Sequence, residues 1–415
     1  MPAAGPRVSR PRWRRLGVAL VAVFWLAGAR AGETPQIRPE TYQRLQTVEK
    51  LLDRQKYGEA EKWLGQMLPA VEGIAYEEAV VLRLWAAVHL EQGQYAKAAD
   101  RLAQCLQTDG LPEEQQRRVV YDLGQLYVTT GQYDKAVARL EAWLAEAEDP
   151  PAKAYLMLGR AHAELGDLRP AAEAVANAID RADEPKENWY RFLLGLYFEL
   201  DDLPACTDVL ERMVRHFPQK EDYWLQLAGV HQRQGRNEEA LAVRELAYRQ
   251  GLLDSQRQIL DLVALYRYLG APHEAARLLE KEIAAGRIAD TAEHWKRLAN
   301  AWRQAQENAK EAAALAEAAE RSGDPKLWLR LARAHREAGD WQEVVAAADR
   351  ALAAGLDAPG RAHLLRGTAF VEMDAIDAAR EAFGKSRKDP ESEEAAGRWL
   401  EYLDERERPL NEERL

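Results

Sequence analysis

Small and apolar positions recur along this chain at a fixed spacing. The segments LWAAVHLEQGQYAKAADRLAQCL (84–106), DLGQLYVTTGQYDKAVARLEAWL (122–144) and MLGRAHAELGDLRPAAEAVANAI (157–179) share one order. A small residue is followed three positions on by His or Tyr and four further on by Gly. Tyr or Leu then follows after two positions and Ala after three more. Apolar residues on both sides of the Gly keep a helical spacing, which predicts two helices joined by a tight turn. The turn position can be followed through Gly93, Gly131, Gly166, Asp201, Gly235, Gly270, Gln306, Gly339 and Asp374. Successive intervals are 38, 35, 35, 34, 35, 36, 33 and 35 residues. A weaker unit precedes them, with Tyr57 and Ala60 at the matching places.

Each spacing has a physical reason. A glycine between two antiparallel helices takes backbone angles that other residues resist. Ala98, Ala136, Ala171, Ala240 and Ala275 stand where the second helix would cross the first. A larger side chain there would push the pair apart. Gly124, Gly159, Ala86, Ala228, Ala299 and Ala332 have the same role on the first helix. Trp224, Trp295 and Trp328 fall where first helices begin and the gap is wide, and Pro218, Pro325 and Pro390 punctuate repeat ends. One hairpin cannot bury its own apolar face, so a stack must supply the core. Residues 391–415 predict a charged capping helix and tail, with Trp399, Leu400 and Leu403 on one stripe. Residues 32–40, with Pro35 and Pro39, read as a flexible lead-in. The combination resembles the tetratricopeptide-repeat (TPR) superfamily, whose period is about 34 residues. The resemblance implies an all-α fold: a TPR α-solenoid, a right-handed superhelix of about ten helix-turn-helix repeats over 41–390, closed by the C-terminal capping helix.

Composition agrees with helix. The chain is 47% hydrophobic and 30% charged, enough apolar surface for a core and too much for a disordered chain. Its net charge is −11, but the first 31 residues hold six arginines and no acid. Without them the balance is −17, which disfavours nucleic acid and anionic membrane surfaces as partners. Residues 1–31 read as a secretory signal peptide. Arg7 to Arg15 make a positive start, Leu16 to Ala27 an uncharged run, and Ala29-Arg30-Ala31 a small-x-small cleavage site. The run has 12 residues, against the roughly 20 that span a bilayer. Cleavage would leave no membrane span; a retained anchor is the alternative. If the leader is bacterial, the mature chain is periplasmic; a eukaryotic secretory route is the alternative.

Motifs for chemistry are missing. His89, His162, His231 and His335 share one repeat slot that elsewhere holds Tyr127, Tyr197, Tyr266, Trp302 and Phe370, so they read as packing residues and not as metal ligands. His273-Glu274 lacks the second His of a zinc-protease helix, no G-x-S-x-G elbow is present, and the glycines are spaced as turns. Cys105 and Cys206 form no paired motif and read as buried thiols. The expectation is therefore no catalytic, cofactor-binding or metal-binding residue, and no enzyme.

In TPR proteins the first helix of each repeat commonly lines the partner-binding face. Carried over to this chain, that implies inward positions at Arg267 and Tyr268 in the seventh repeat. It also implies Lys296, Arg297, Asn300 and Arg303 in the eighth, and Lys326, Arg330, Arg333 and Arg336 in the ninth. This is a cationic stripe in an acidic chain, suited to a carboxylate or an acidic peptide. TPR domains that hold a chaperone's C-terminal carboxylate use Lys and Asn on one first helix, Asn on the next, and Lys and Arg on the third. Lys296 and Asn300 match the first pair. Arg330 replaces the next Asn, and of the last pair only Arg361 matches, with Leu365 in the other slot. A solvated helix face is the alternative reading of the stripe.

Residues 188–319 carry a narrower likeness. Tyr223-Trp224, Ala247-Tyr248 with Gly251-Leu252, and Pro272 followed by Ala275-Ala276 resemble periplasmic TPR proteins found with the TonB–ExbB–ExbD energy-transducing machinery. That likeness implies a scaffold serving TonB-dependent uptake, with TonB, ExbB, ExbD or an outer-membrane receptor as partner. A scaffold for envelope assembly, or for export of polysaccharide or protein, is the competing expectation. An enzyme with an unrecognised site is the third.

Overall fold

Small residues at the helix crossings and left-handed residues at the turns decide the architecture. The computed structural model describes residues 36–412, with side chains as far as Arg406. The leader read at 1–31, residues 32–35 of the lead-in and the last three residues of the tail lie outside the described residues. Among the described residues there are 21 helices. Twenty form consecutive hairpins, and α21 follows them. In chain order the first ten are α1 Pro39–Asp53, α2 Tyr57–Val71, α3 Ala75–Glu91, α4 Tyr95–Gln107, α5 Glu113–Thr129, α6 Tyr133–Glu146, α7 Ala152–Leu165, α8 Leu168–Arg181, α9 Glu187–Glu199 and α10 Leu203–His216. The rest are α11 Glu221–Arg233, α12 Asn237–Arg249, α13 Gln256–Tyr268, α14 Pro272–Ala284, α15 Ala292–Gln304, α16 Asn308–Ser322, α17 Pro325–Ala338, α18 Trp341–Ala353, α19 Gly360–Glu372, α20 Ile376–Ser386 and α21 Glu393–Glu412. No described helix is long and apolar enough to cross a membrane.

All nine turn positions read from the repeat have positive φ. Six are glycines; the others are Asp201 (52°), Gln306 (62°) and Asp374 (58°). Gln55 (57°) takes the same conformation in the first hairpin. This residue lets the chain reverse while satisfying the last carbonyls of the first helix. In the second hairpin the Gly93 N–H donates to Leu90 O at 3.0 Å and the Gln94 N–H to His89 O at 2.8 Å. Tyr127, His162, His231, Tyr266, Trp302, His335 and Phe370 carbonyls accept the equivalent bond. Few N-termini use a side-chain cap. Ser255 with Gln258 forms a capping box at α13, and Thr291 and Asp324 cap α15 and α17.

The chain divides between Val209 and Leu210, inside α10, into two compact units. In each, consecutive helices pack on one another. The crossing residues Ala98, Ala136 and Ala171 in the first unit, and Ala240 and Ala275 in the second, are fully buried. A Cβ added at Gly124 would lie 2.8 Å from Leu140 Cδ2, and one at Gly159 would lie 2.6 Å from Val175 Cγ2. The helices approach too closely there for anything larger. The repeated His slot also packs: His89, His162 and His231 are buried, and burial holds His89 and His231 below the usual imidazole range.

Two ends of the described chain are covered. α1 begins at Pro39, inside the segment 32–40, with proline in the first turn. The Arg38 guanidinium holds the buried Glu77 carboxylate, with Nη2–Oε2 at 2.8 Å, and Thr41 Oγ1 donates to the same oxygen. At the other end Leu403 of α21 is fully buried, and Trp399 stacks on Phe383 with centroids 5.5 Å apart.

Candidate protein-binding site

The sequence stripe lies on α13, α15 and α17 of the second unit, and the structure sorts its members by their neighbours. Glu293, one turn before Lys296 and Arg297, takes both: Lys296 Nζ at 2.6 Å and Arg297 Nε at 3.4 Å. The hydrogen bond from Lys296, first among the influences, holds the Glu293 carboxyl below the usual range. These two cations are spent on their own helix. Arg267 Nε donates to Gln304 Oε1 at 2.9 Å, joining α13 to α15. Lys326 and Arg303 are exposed.

Arg330 is tied from two sides. Its Nη2 donates to Asn300 Oδ1 at 2.9 Å and lies 3.4 Å from Glu311 Oε1. Arg333 and Arg336 follow at three-residue steps on the same helical face. Among the described residues Arg336 has only Glu337 at 3.9 Å, and Arg361 on α19 pairs with Glu391 at 3.2 Å. Arg333 is part-buried and has no acidic partner among the described residues. Burial, and then the positive charges of Arg361, Arg336 and Arg330, push its pKa down. A guanidinium is not deprotonated near neutral pH, so the downward push marks an unfavourable environment for a charge that stays. An anion placed there would relieve it.

Two open depressions accompany these surfaces. In the first unit one of about 570 Å³ runs between α7 and α9, with Trp189 and Phe192 beside Arg160, Glu164 and Glu199. In the second unit one of about 470 Å³ is lined by α11, α12 and α13, with Gln232, Arg244, Asp261 and Tyr268 at its walls. Tyr268 is 74% exposed. Among the described residues, no cluster of three or more His, Cys, Asp and Glu side chains is placed to hold a metal ion.

Two functional candidates escaped the sequence reading, although the repeat marks both. Four positions after the crossing residue, nine of the ten second helices carry an apolar residue, such as Leu64, Leu102, Leu140, Val175, Leu279 and Phe383. All nine are at most 6% exposed. In α12 that place is Arg244. At the crossing place itself, where Ala dominates, α16 carries Glu311, which is buried. A charge standing in an otherwise apolar column was the available signal.

Models of the tetratricopeptide repeat match residues 89–154, 152–184 and 329–393. Those stretches are similar to TPR repeats, whose fold is typically a non-catalytic scaffold for protein–protein interaction. Similar solved structures include a TPR protein from Parabacteroides merdae, 13% identical over 68% of this chain and 93% of that one, with a TM-score of 0.34. The C-terminal part of a TPR protein from Cytophaga hutchinsonii is 14% identical, covers 67% and 95%, and has a TM-score of 0.33. MamA from Desulfovibrio magneticus is 18% identical, covers 53% and 99%, and has a TM-score of 0.30. No curated protein matches the chain.

Proposed function

We propose that this chain is a scaffold whose second unit holds an acidic segment of a partner protein against Arg333 and Arg336 of α17, beside the paired Arg361 of α19. The supporting observation is Arg333: a part-buried guanidinium among three others, with no carboxylate of its own. Unlike charges would gain most where water is partly excluded, and rigid guanidinium forks suit carboxylates. Arg330 sets the geometry of the patch from its bonds to Asn300 and Glu311. Lys296 and Arg297, already paired, contribute little. No catalytic step is assigned to the chain.

The narrower proposal is a periplasmic accessory of TonB-dependent uptake, acting on TonB, ExbB, ExbD or an outer-membrane receptor. It is supported by the leader read at 1–31 and by the wording of residues 188–319. Crosslinking in intact cells, followed by capture of the chain and identification of its partners by mass spectrometry, tests it. Enrichment of those components is expected; enrichment of polysaccharide-export or outer-membrane-assembly machinery instead overturns it. The patch is then tested with the captured partner. Arg333→Glu with Arg336→Glu is expected to weaken binding at least tenfold and flatten its salt dependence. Unchanged affinity and salt slope would make the patch a solvated helix face.

A further inference from the structure

Arg244 occupies a core position of the repeat that is apolar in every other hairpin. Its Nε is buried and has no hydrogen-bond partner, and no acid pairs with it among the described residues. Replacing a core leucine with an arginine removes packing and buries a donor that water cannot reach, so the fold gains nothing from it. The side chain lines the depression of about 470 Å³, on whose walls stand Asp261, Gln232, Asn237 and the exposed Tyr268. One wall therefore offers a half-buried cationic donor. The other walls offer acceptors and amides of the kind that bond an extended backbone.

We infer that this depression is a carboxylate-binding pocket, and that its occupant is a glutamate or aspartate side chain on an extended segment of the partner protein. The inference rests on the scaffold reading above but not on the Arg333 patch, which belongs to α17 and α19. The acidic side chain reaches Arg244. Gln232, Asn237 and Tyr268 bond the main chain around it, and Asp261 accepts a backbone N–H of the same segment. Asp261 also makes the pocket a poor receptor for a bare anion, because its charge opposes one that brings no donor.

The probe is a fluorescently tagged peptide, acetyl-Ala-Ala-Glu-Ala-Ala-amide, and its Gln counterpart, titrated at low salt against the full chain. The titrations use the Arg333→Glu, Arg336→Glu background, so that the other cationic surface is silent. The Glu peptide is expected to bind at least tenfold more tightly than the Gln peptide. Arg244→Leu, which restores the residue type of the other repeats, is expected to raise the melting temperature and to erase that preference. Three results overturn the inference: equal binding of the two peptides, a preference that survives Arg244→Leu, or a lowered melting temperature or loss of folding in that variant. The last would make Arg244 a structural residue. Unchanged partner binding by the Arg333 variants with the peptide preference intact would overturn the Arg333 patch and leave this pocket standing; weakened partner binding with equal binding of the two peptides would do the reverse.

Discussion

Arg330 and Glu311 form an ion pair at 3.4 Å that joins α17 to α16, and the carboxylate is the buried member. Burial, the largest influence, holds the Glu311 carboxyl above the ordinary range although Arg330 and Arg303 oppose it. The folded state therefore binds that proton more tightly than the unfolded one. Its contribution is fully present below the unfolded carboxylate's pKa and is lost as pH rises through the folded value. Arg330→Met is expected to destabilise the chain by about 2 kcal/mol at pH 7, less than a fully buried pair would lose because Arg330 is part-exposed. Near pH 4 the loss is expected to shrink. Thermal melts at the two pH values check this; equal losses would mean the pair contributes no charge interaction.

Gln306 closes the α15–α16 turn with φ of 62°, a conformation that costs a side-chain-bearing residue. Gln306→Gly is expected to raise stability by about 1 kcal/mol. Asp374→Gly should gain less, because Asp tolerates this region better. Gly270→Ala, at φ of 76°, should lose about 1 kcal/mol or more. Circular-dichroism melts decide, and a destabilising Gln306→Gly would show that the glutamine side chain makes a contact worth more than its strain.

Gly159 and Gly195 are both inside helices, and they make a matched pair. A Cβ at Gly159 would meet Val175 Cγ2 at 2.6 Å and Ala171 O at 3.0 Å; one at Gly195 would meet nothing within 4 Å. Gly159→Ala should cost about 1–3 kcal/mol by forcing α7 and α8 apart. Gly195→Ala should gain about 0.5–1 kcal/mol from helix propensity alone. Denaturant titrations of both variants are the check, and similar effects would refute the crossing argument.

Cys105 is buried, its thiol faces Ala79 O at 3.3 Å, and burial pushes its pKa up to about 12. Thiolate is the reactive form. Alkylation with iodoacetamide at pH 8 is expected to spare Cys105 in the folded chain and to label it in denaturant. Peptide mass mapping reads the outcome; rapid labelling of folded protein would mean the first unit opens readily.

The hairpins were legible because their determinants are local and repeated. Gly93, Ala98 and His89 recur as a set, so even Asp201, Gln306 and Asp374 could be placed at turns by count alone, and all have the expected positive φ. The binding surface was legible only as a list of cations. Lys296 and Arg297 differ from Arg333 in having a nearby acid, Glu293, and Arg330 differs from it in having a buried one, Glu311, that arrives from a different helix. Sequence spacing shows the first relationship weakly and the second not at all, because helix-to-helix register decides it. Arg244 was overlooked for another reason. It stands on a second helix, outside the set of inward positions, and only the comparison of ten equivalent places exposes it.

Among the described residues, the turn inside each hairpin carries its own left-handed residue, and the intervals between these turns vary only from 33 to 38 residues. Each hairpin is thus closed by instructions contained within itself. A gene built this way can gain or lose a whole segment by unequal recombination without rewriting its neighbours. The chain's length is then free to drift, while the single charges at Arg244 and Glu311, each in an otherwise apolar column, keep two hairpins from being interchangeable with the rest.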